Sequence, residues 1–337
     1  MLSITRRTFG ALAAATMLMG AGAASAEPVK IGILSLTSHS PSIIAEGKGY
    51  YEEAGLEVEF VPFQAAQPMA VAIASGDVDF GLTAMTAGLV SLAERGAVKI
   101  IGGAMAEAEG VEGHKILVSK AAHEAGVTTP AGLEGKRFGI TTAGSSFHYM
   151  AHKIADGEGF ERSSMEMVPL NGVPAVIASL RSGQIDAWSI QPNIADGLIA
   201  SGDVFEVGRI DDYVDTYQVT TLFTSNELIA NNRELVESFV AAFSKGVADY
   251  NAAFVDKTMS EDESGEMVAM IHEWVYTDRP LEDADAAIRA GAMRMNEGAK
   301  LNLASIEDQL EWFKSENLVP QDASIENLVD TSFVETF

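Results

Sequence analysis

Cysteine is absent from the 337 residues, and basic side chains are scarce: 22 Lys and Arg stand against 48 Asp and Glu, a formal charge of −26. Without cysteine there is no disulfide, no thiolate metal site, no thiol nucleophile and no cysteine to carry a lipid. The acidic excess argues against nucleic acid and anionic membrane surfaces as partners, since both are bound through basic faces. Beyond the first 26 residues, no run approaches the roughly 20 apolar residues of a membrane span. Disorder is excluded as well, because hydrophobic residues make up 47% of the chain and charged ones 21%. At roughly 100–200 residues per domain, the length fits about two domains.

The N-terminus reads as an address. Arg6-Arg7, with Phe9 two positions on, precede an apolar run over residues 11–24 and the small-residue stretch Ala24-Ser25-Ala26. This is a charged, an apolar and a cleavable region in order, and the paired arginines resemble a twin-arginine export signal. Cleavage after Ala26 removes two arginines and no acid, leaving 311 residues and a charge of −28. The expected location is the periplasm.

From residue 27 onward, short apolar strands alternate with amphipathic helices, which predicts an α/β protein with largely parallel sheets. Strands are expected over 29–34, 56–62 and 78–82, and helices over 41–54 and 69–74. The same order recurs. Lys30-Ile31-Gly32-Ile33 is matched by Arg137-Phe138-Gly139-Ile140, Gly47-Lys48-Gly49-Tyr50 by Gly157-Glu158-Gly159-Phe160, and Ser75-Gly76-Asp77-Val78-Asp79 by Ser182-Gly183-Gln184-Ile185-Asp186. The offsets are 107, 110 and 107 positions. Three ordered matches at nearly constant spacing predict two lobes on one βαβ plan. The expected division is 27–114 with 222–337 for the first lobe and 115–221 for the second. Two crossings between lobes permit hinge closure over a ligand. The chain beyond Asn231 reads as helices that rejoin the first lobe, with Asn231 or Asn232 as a cap and Leu235, Phe239, Ala242, Phe243 and Val247 as an apolar stripe.

The segments Ser40–Phe63, Ile73–Gly96, Leu133–Gly159 and Leu180–Gly202 together resemble the substrate-binding proteins of ATP-driven (ABC) importers, most closely the nitrate, sulfonate, taurine and pyrimidine-precursor group. The resemblance implies a type II periplasmic-binding-protein fold with an interlobe cleft and C-terminal helices. It further implies a monomer that captures a small molecule and delivers it to a permease in the inner membrane. It implies no enzyme activity and no cofactor.

In open α/β sheets, ligands sit beyond the carboxyl ends of strands. Four loops qualify by their place in the repeat: 35–42, 83–86, 142–148 and 188–193. None contains Lys, Arg, Asp or Glu, so the acidity is expected on the outer surface and the site is expected to be neutral and polar. The candidate ligand-binding residues are Ser38, His39, Thr83, Met85, Thr86, Ser145, Ser146, His148, Trp188 and Gln191. Hydroxyls and imidazoles at helix starts suit an oxyanion, and Ser145, Ser146 and His148 match the group's GSSxH pattern. The serines could equally serve as caps, Met85 and Trp188 as core. His39 and His148 lack a third metal ligand at recognisable spacing. No role is read for His114, His123, His152 or His272. The expected ligand is a small sulfonate or carboxylate held without a salt bridge. A neutral heteroaromatic stacked on Trp188, a pyrimidine-synthesis enzyme and a chemosensory adaptor remain alternatives.

Overall fold

A computed structural model describes residues 27–337; the expected export segment and its expected cleavage site lie outside the described residues. Thirteen strands fall in three sheets: β1 Val29–Leu34, β2 Val58–Phe63, β3 Phe80–Thr83, β4 Val98–Gly103, β5 Met105–Glu107, β6 Lys115–Ser119, β7 Arg137–Ile140, β8 Glu166–Pro169, β9 Ala187–Ile190, β10 Val204–Arg209, β11 Tyr217–Gln218, β12 Thr221–Ser225 and β13 Arg294–Met295. The first lobe carries the order β2-β1-β3-β12-β4 and the second β10-β6-β9-β7-β8. A short ribbon, β11-β5-β13, lies on the connections between them. Each large sheet has a parallel trio, β2-β1-β3 or β8-β7-β9, then one reversed strand, β12 or β6. An outer strand, β4 or β10, pairs antiparallel with the reversed one and so points the same way as the trio. All but one strand in each large sheet thus share one direction, with β12 or β6 the single reversed member.

The repeat has a physical cause. Asp79 accepts the Lys30 backbone N–H at 2.8 Å, and Asp186 accepts that of Arg137 at 2.9 Å. Each carboxylate thus closes the start of its lobe's central parallel strand. The turn leading to it needs a left-handed residue, supplied by Gly76 (φ 79°) and Gly183 (φ 71°). The expected helix over 41–54 is broken in two, Ser40–Gly47 and Tyr50–Glu53, by Gly49 at φ 74°.

The C-terminal segment does more than rejoin the first lobe. Arg233–Tyr250, capped by Asn232 at the Leu235 N–H, packs on Ser40–Gly47. However, Leu281–Ala290 packs on Pro192–Ala200 of the second lobe. Leu303–Ser315 reaches the second-lobe helix Ser146–Glu158, where Trp312 Nε1–H donates to His152 at 3.2 Å and Lys153 pairs with Asp308 at 2.8 Å. Among the described residues no helix is long and apolar enough to cross a membrane.

A close approach of helix to helix backbone sits at Gly246. A Cβ there would run into the Pro41 carbonyl oxygen and come 3.0 Å from Ala45 Cβ. Helix propensity favours Gly246→Ala by about 1 kcal/mol, whereas overpacking costs about 1–3 kcal/mol. The overlap is with backbone, so it wins. Gly246→Ala is expected to lower Tm by a few degrees in calorimetry; a rise would show that the two helices have room to part.

Candidate functional site

A cavity of about 60 Å³ lies between the lobes. At roughly 10–15 Å³ per water in this measure, it suits a small solute. Six helices begin on it, three from each lobe. His39 precedes Ser40–Gly47, Ala65 precedes Ala66–Ser75, and Thr86 precedes Ala87–Glu94. Across the cleft, Ser145 precedes Ser146–Glu158, Val173 opens Val173–Arg181, and Gln191 precedes Pro192–Ala200. A parallel sheet strand feeding a helix makes this arrangement: the strand ends where the ligand site lies, and the helix starts there.

Helix starts present free N–H groups and a positive partial charge. Acidic residues in the first turn would satisfy both. The helices Arg233–Tyr250, Glu261–His272 and Leu281–Ala290 have such acids, but none of the six at the cavity does. Only one of the six is capped by a side chain, Thr86 Oγ1 accepting the Leu89 N–H at 3.0 Å. No Lys, Arg, Asp or Glu lines the cavity. Three lining groups, His39 Nδ1, Ser145 Oγ and Gln191 Nε2, are buried without a hydrogen-bond partner. Unpartnered buried polar atoms are costly unless something else satisfies them. His39 cannot supply charge, because complete burial pushes its pKa down to about 3. The electropositive character comes from backbone alone.

Of the ten candidate residues, Ser38, His39, Thr83, Thr86, Ser145, Ser146 and Gln191 line the cavity. Met85, His148 and Trp188 do not. Met85 turns into the core between Ala84 and Thr86 and is 1% exposed. Trp188 shares a sheet face with Ile190 but lies two residues further from the strand end, one pleat deeper. It is fully buried, with Phe147 packed against it at 5.3 Å between ring centres. His148 is carried off the cavity by the helical turn. Its Nδ1 accepts the Gly144 N–H at 3.1 Å and its Nε2 faces His152. Burial and the neighbouring His152 push its pKa down to about 4. The alternative of capping is not realised at Ser145, whose hydroxyl makes no cap bond.

Several lining residues went unread in the sequence. The helix expected over 69–74 starts earlier, at Ala66, which places Ala65 and Ala66 on the cavity; Val173 is its counterpart in the second lobe. Pro68 and Pro174, each in a first helical turn, were the available signal. His114, Thr141, Phe147 and Thr220 complete the polar and aromatic lining. Nor is every acid on the outer surface: Glu107, 3% exposed, pairs with His114 at 2.6 Å.

The lobes touch across the cleft. The Ala87 N–H of the first lobe donates to the Gly144 carbonyl of the second at 3.0 Å, and the Val173 N–H to Gln64 at 3.4 Å.

Comparison with known proteins places this geometry. The family profile described as NMT1/THI5 like matches residues 36–253. A protein of Bacillus subtilis (strain 168), whose name gives it as a candidate aliphatic sulfonates-binding protein, is 26% identical over 243 residues, covering 68% of this chain and 70% of that one. The alkanesulfonate-binding protein SsuA of Xanthomonas axonopodis pv. citri, solved bound to MOPS, superposes with a TM-score of 0.70 at 16% identity, covering 91% of this chain and all of that one. The periplasmic aliphatic sulphonate-binding protein SsuA of Escherichia coli gives 0.67 at 18% identity, covering 91% and 93%. These superpositions establish the periplasmic-binding-protein fold.

Proposed function

Since the chain belongs to the NMT1/THI5-like family, we propose that it is a periplasmic solute-binding protein that closes its two lobes over a small sulfonate or carboxylate and delivers it to an ABC importer. It is a binding protein and not an enzyme. The observation that carries the ligand class is the ring of six helix starts, free of acids and all but one uncapped, around a cavity lined by no charged Asp, Glu, Lys or Arg. Such a ring presents backbone N–H donors in need of an acceptor and attracts an anion. The absence of a cation favours a singly charged head group over phosphate, which normally recruits Arg or Lys. Leu34, Leu36, Val173 and Ile190 supply an apolar wall for a short tail. The name of the Bacillus subtilis relative points to the same ligand class. Ser38, His39, Thr83, Thr86, Ser145, Ser146 and Gln191 are the residues assigned to contact the ligand.

A thermal-shift panel of taurine, ethanesulfonate, nitrate, acetate, benzoate and a pyrimidine tests this reading. A true ligand at 100 times its Kd stabilises by about 2.7 kcal/mol, enough to raise Tm by several degrees. At least one anion is expected to give that shift, with a fall in the radius of gyration by solution scattering. A shift with the pyrimidine alone, or with nothing, would overturn the anion assignment. An unchanged radius would overturn closure.

A further inference from the structure

At the back of the cleft, where the chain leaves the ribbon for the second lobe, Glu107 and His114 form a buried pair, each 3% exposed. The carboxylate holds the imidazole twice over: Glu107 Oε1 lies 2.6 Å from His114 Nδ1 and accepts the His114 backbone N–H at 3.1 Å. This fixes Nδ1 as the protonated nitrogen and leaves Nε2 as the free one. His114 lines the cavity, and among the described residues its Nε2 has no hydrogen-bond partner. Glu107 Oε2 is buried without a partner too, pressed so close to Gly113 that a Cβ there would collide with it.

The pair is out of keeping with an anion site as it stands. Unless His114 carries a proton, the Glu107 carboxylate beside it brings a full negative charge to the edge of a cavity that otherwise offers only backbone dipoles. An entering anion is repelled by that charge in a poorly screened interior. A proton on His114 cancels it and turns Nε2–H into a charge-assisted donor facing the cavity. No neighbour substitutes for that proton. Tyr217, opposite Glu107 in the ribbon, is kept as the neutral phenol by burial. Lys115 is committed to Glu112, Asp196 and Glu206, and Arg209 in β10 to Asp211. His39, on the same cavity, is held neutral by burial.

We propose that anion capture is coupled to proton uptake: the Glu107–His114 pair gains one proton as the anion enters. The proposal rests on the cleft being an anion site, and the test separates the two. Calorimetric titration of the mature chain with ethanesulfonate, with acetate and nitrate as alternative probes, is run from pH 6 to 9 in buffers of low and high ionisation enthalpy. A sulfonate keeps its charge throughout this range, so any proton taken up belongs to the protein. Uptake approaching one proton is expected, and Kd is expected to weaken by up to about tenfold per pH unit at the alkaline end. Glu107→Gln keeps the acceptor for Nδ1–H but removes the charge; it is expected to bind with a pH-independent Kd and no uptake. Should that variant fail to fold, His114→Asn, which removes the imidazole but leaves the carboxylate, is expected to bind the anion more weakly and with less uptake. Anion binding with no uptake and a flat Kd, or unchanged uptake in either variant, overturns the coupling and leaves the anion site standing. Binding by none of the three probes overturns both.

Discussion

Replacing Gln191 by glutamate is expected to weaken binding of an anionic solute at least 100-fold while leaving the fold intact. Gln191 is 2% exposed, lines the cavity and precedes the helix Pro192–Ala200. Its Nε2 has no partner and its side chain makes no cap bond, so the amide is free to donate to a ligand. The glutamate is nearly the same shape, and the difference is one charge. Two like charges about 5 Å apart at an effective dielectric constant near 20 repel by about 3 kcal/mol, which is about two orders of magnitude in Kd. The helix start stabilises the new carboxylate, so it stays ionised and the repulsion persists near neutral pH. Acidification that protonates it is expected to restore part of the affinity. Gln191→Met separates lost donation from added repulsion. It removes the donor without adding charge, and its cost is about 1–2 kcal/mol, roughly tenfold. Equal losses for Glu and Met, measured by calorimetry, would show that Gln191 acts only through its hydrogen bond. No loss with either would remove it from the site.

How far the sequence led can be read at particular positions. The repeat was legible because its members do fixed jobs. Asp79 and Asp186 each close a strand start, and Gly76 and Gly183 each make the left-handed turn before it, so neither type tolerates drift. Four of the six cavity helices were marked by a proline in the first turn: Pro41, Pro68, Pro174 and Pro192. Three residues within the expected loops do not reach the cavity, for reasons that position in a loop does not encode. Trp188 depends on pleat depth, Met85 on the way the segment after β3 turns into the core, and His148 on the 100° turn per residue of its helix. Glu107 and His114 were invisible for a different reason. They lie on the crossing between lobes, outside any strand-to-helix loop, and only the three-stranded ribbon of β11, β5 and β13 brings that crossing to the cavity. The C-terminal helices show apolar stripes, but stripes do not say which lobe they cover. Leu281–Ala290 and Leu303–Ser315 cover the second as well as the first.

Gly144 sets the second large expectation. Its carbonyl accepts the Ala87 N–H at 3.0 Å, the shorter of the two backbone bonds described across the cleft. A Cβ on Gly144 would come 2.5 Å from Ala87 Cβ and 3.3 Å from Ala87 N, so any side chain wedges the lobes apart where they meet. The residue also sits at φ 73°, which most side chains resist by about 1–2 kcal/mol. Gly144→Asn limits that second effect, because asparagine tolerates the left-handed region best. What remains is the block to closure. If only the closed arrangement holds the ligand from both sides, affinity scales with the fraction of molecules able to close. Gly144→Asn is therefore expected to lose at least about 100-fold in affinity, with an unliganded Tm close to that of the parent. The radius of gyration, which falls on adding ligand in the parent, is expected to stay at its unliganded value. A variant that binds normally and still compacts would show that the lobes close without this contact. The Ala87–Gly144 bond would then be a consequence of closure and not a condition for it.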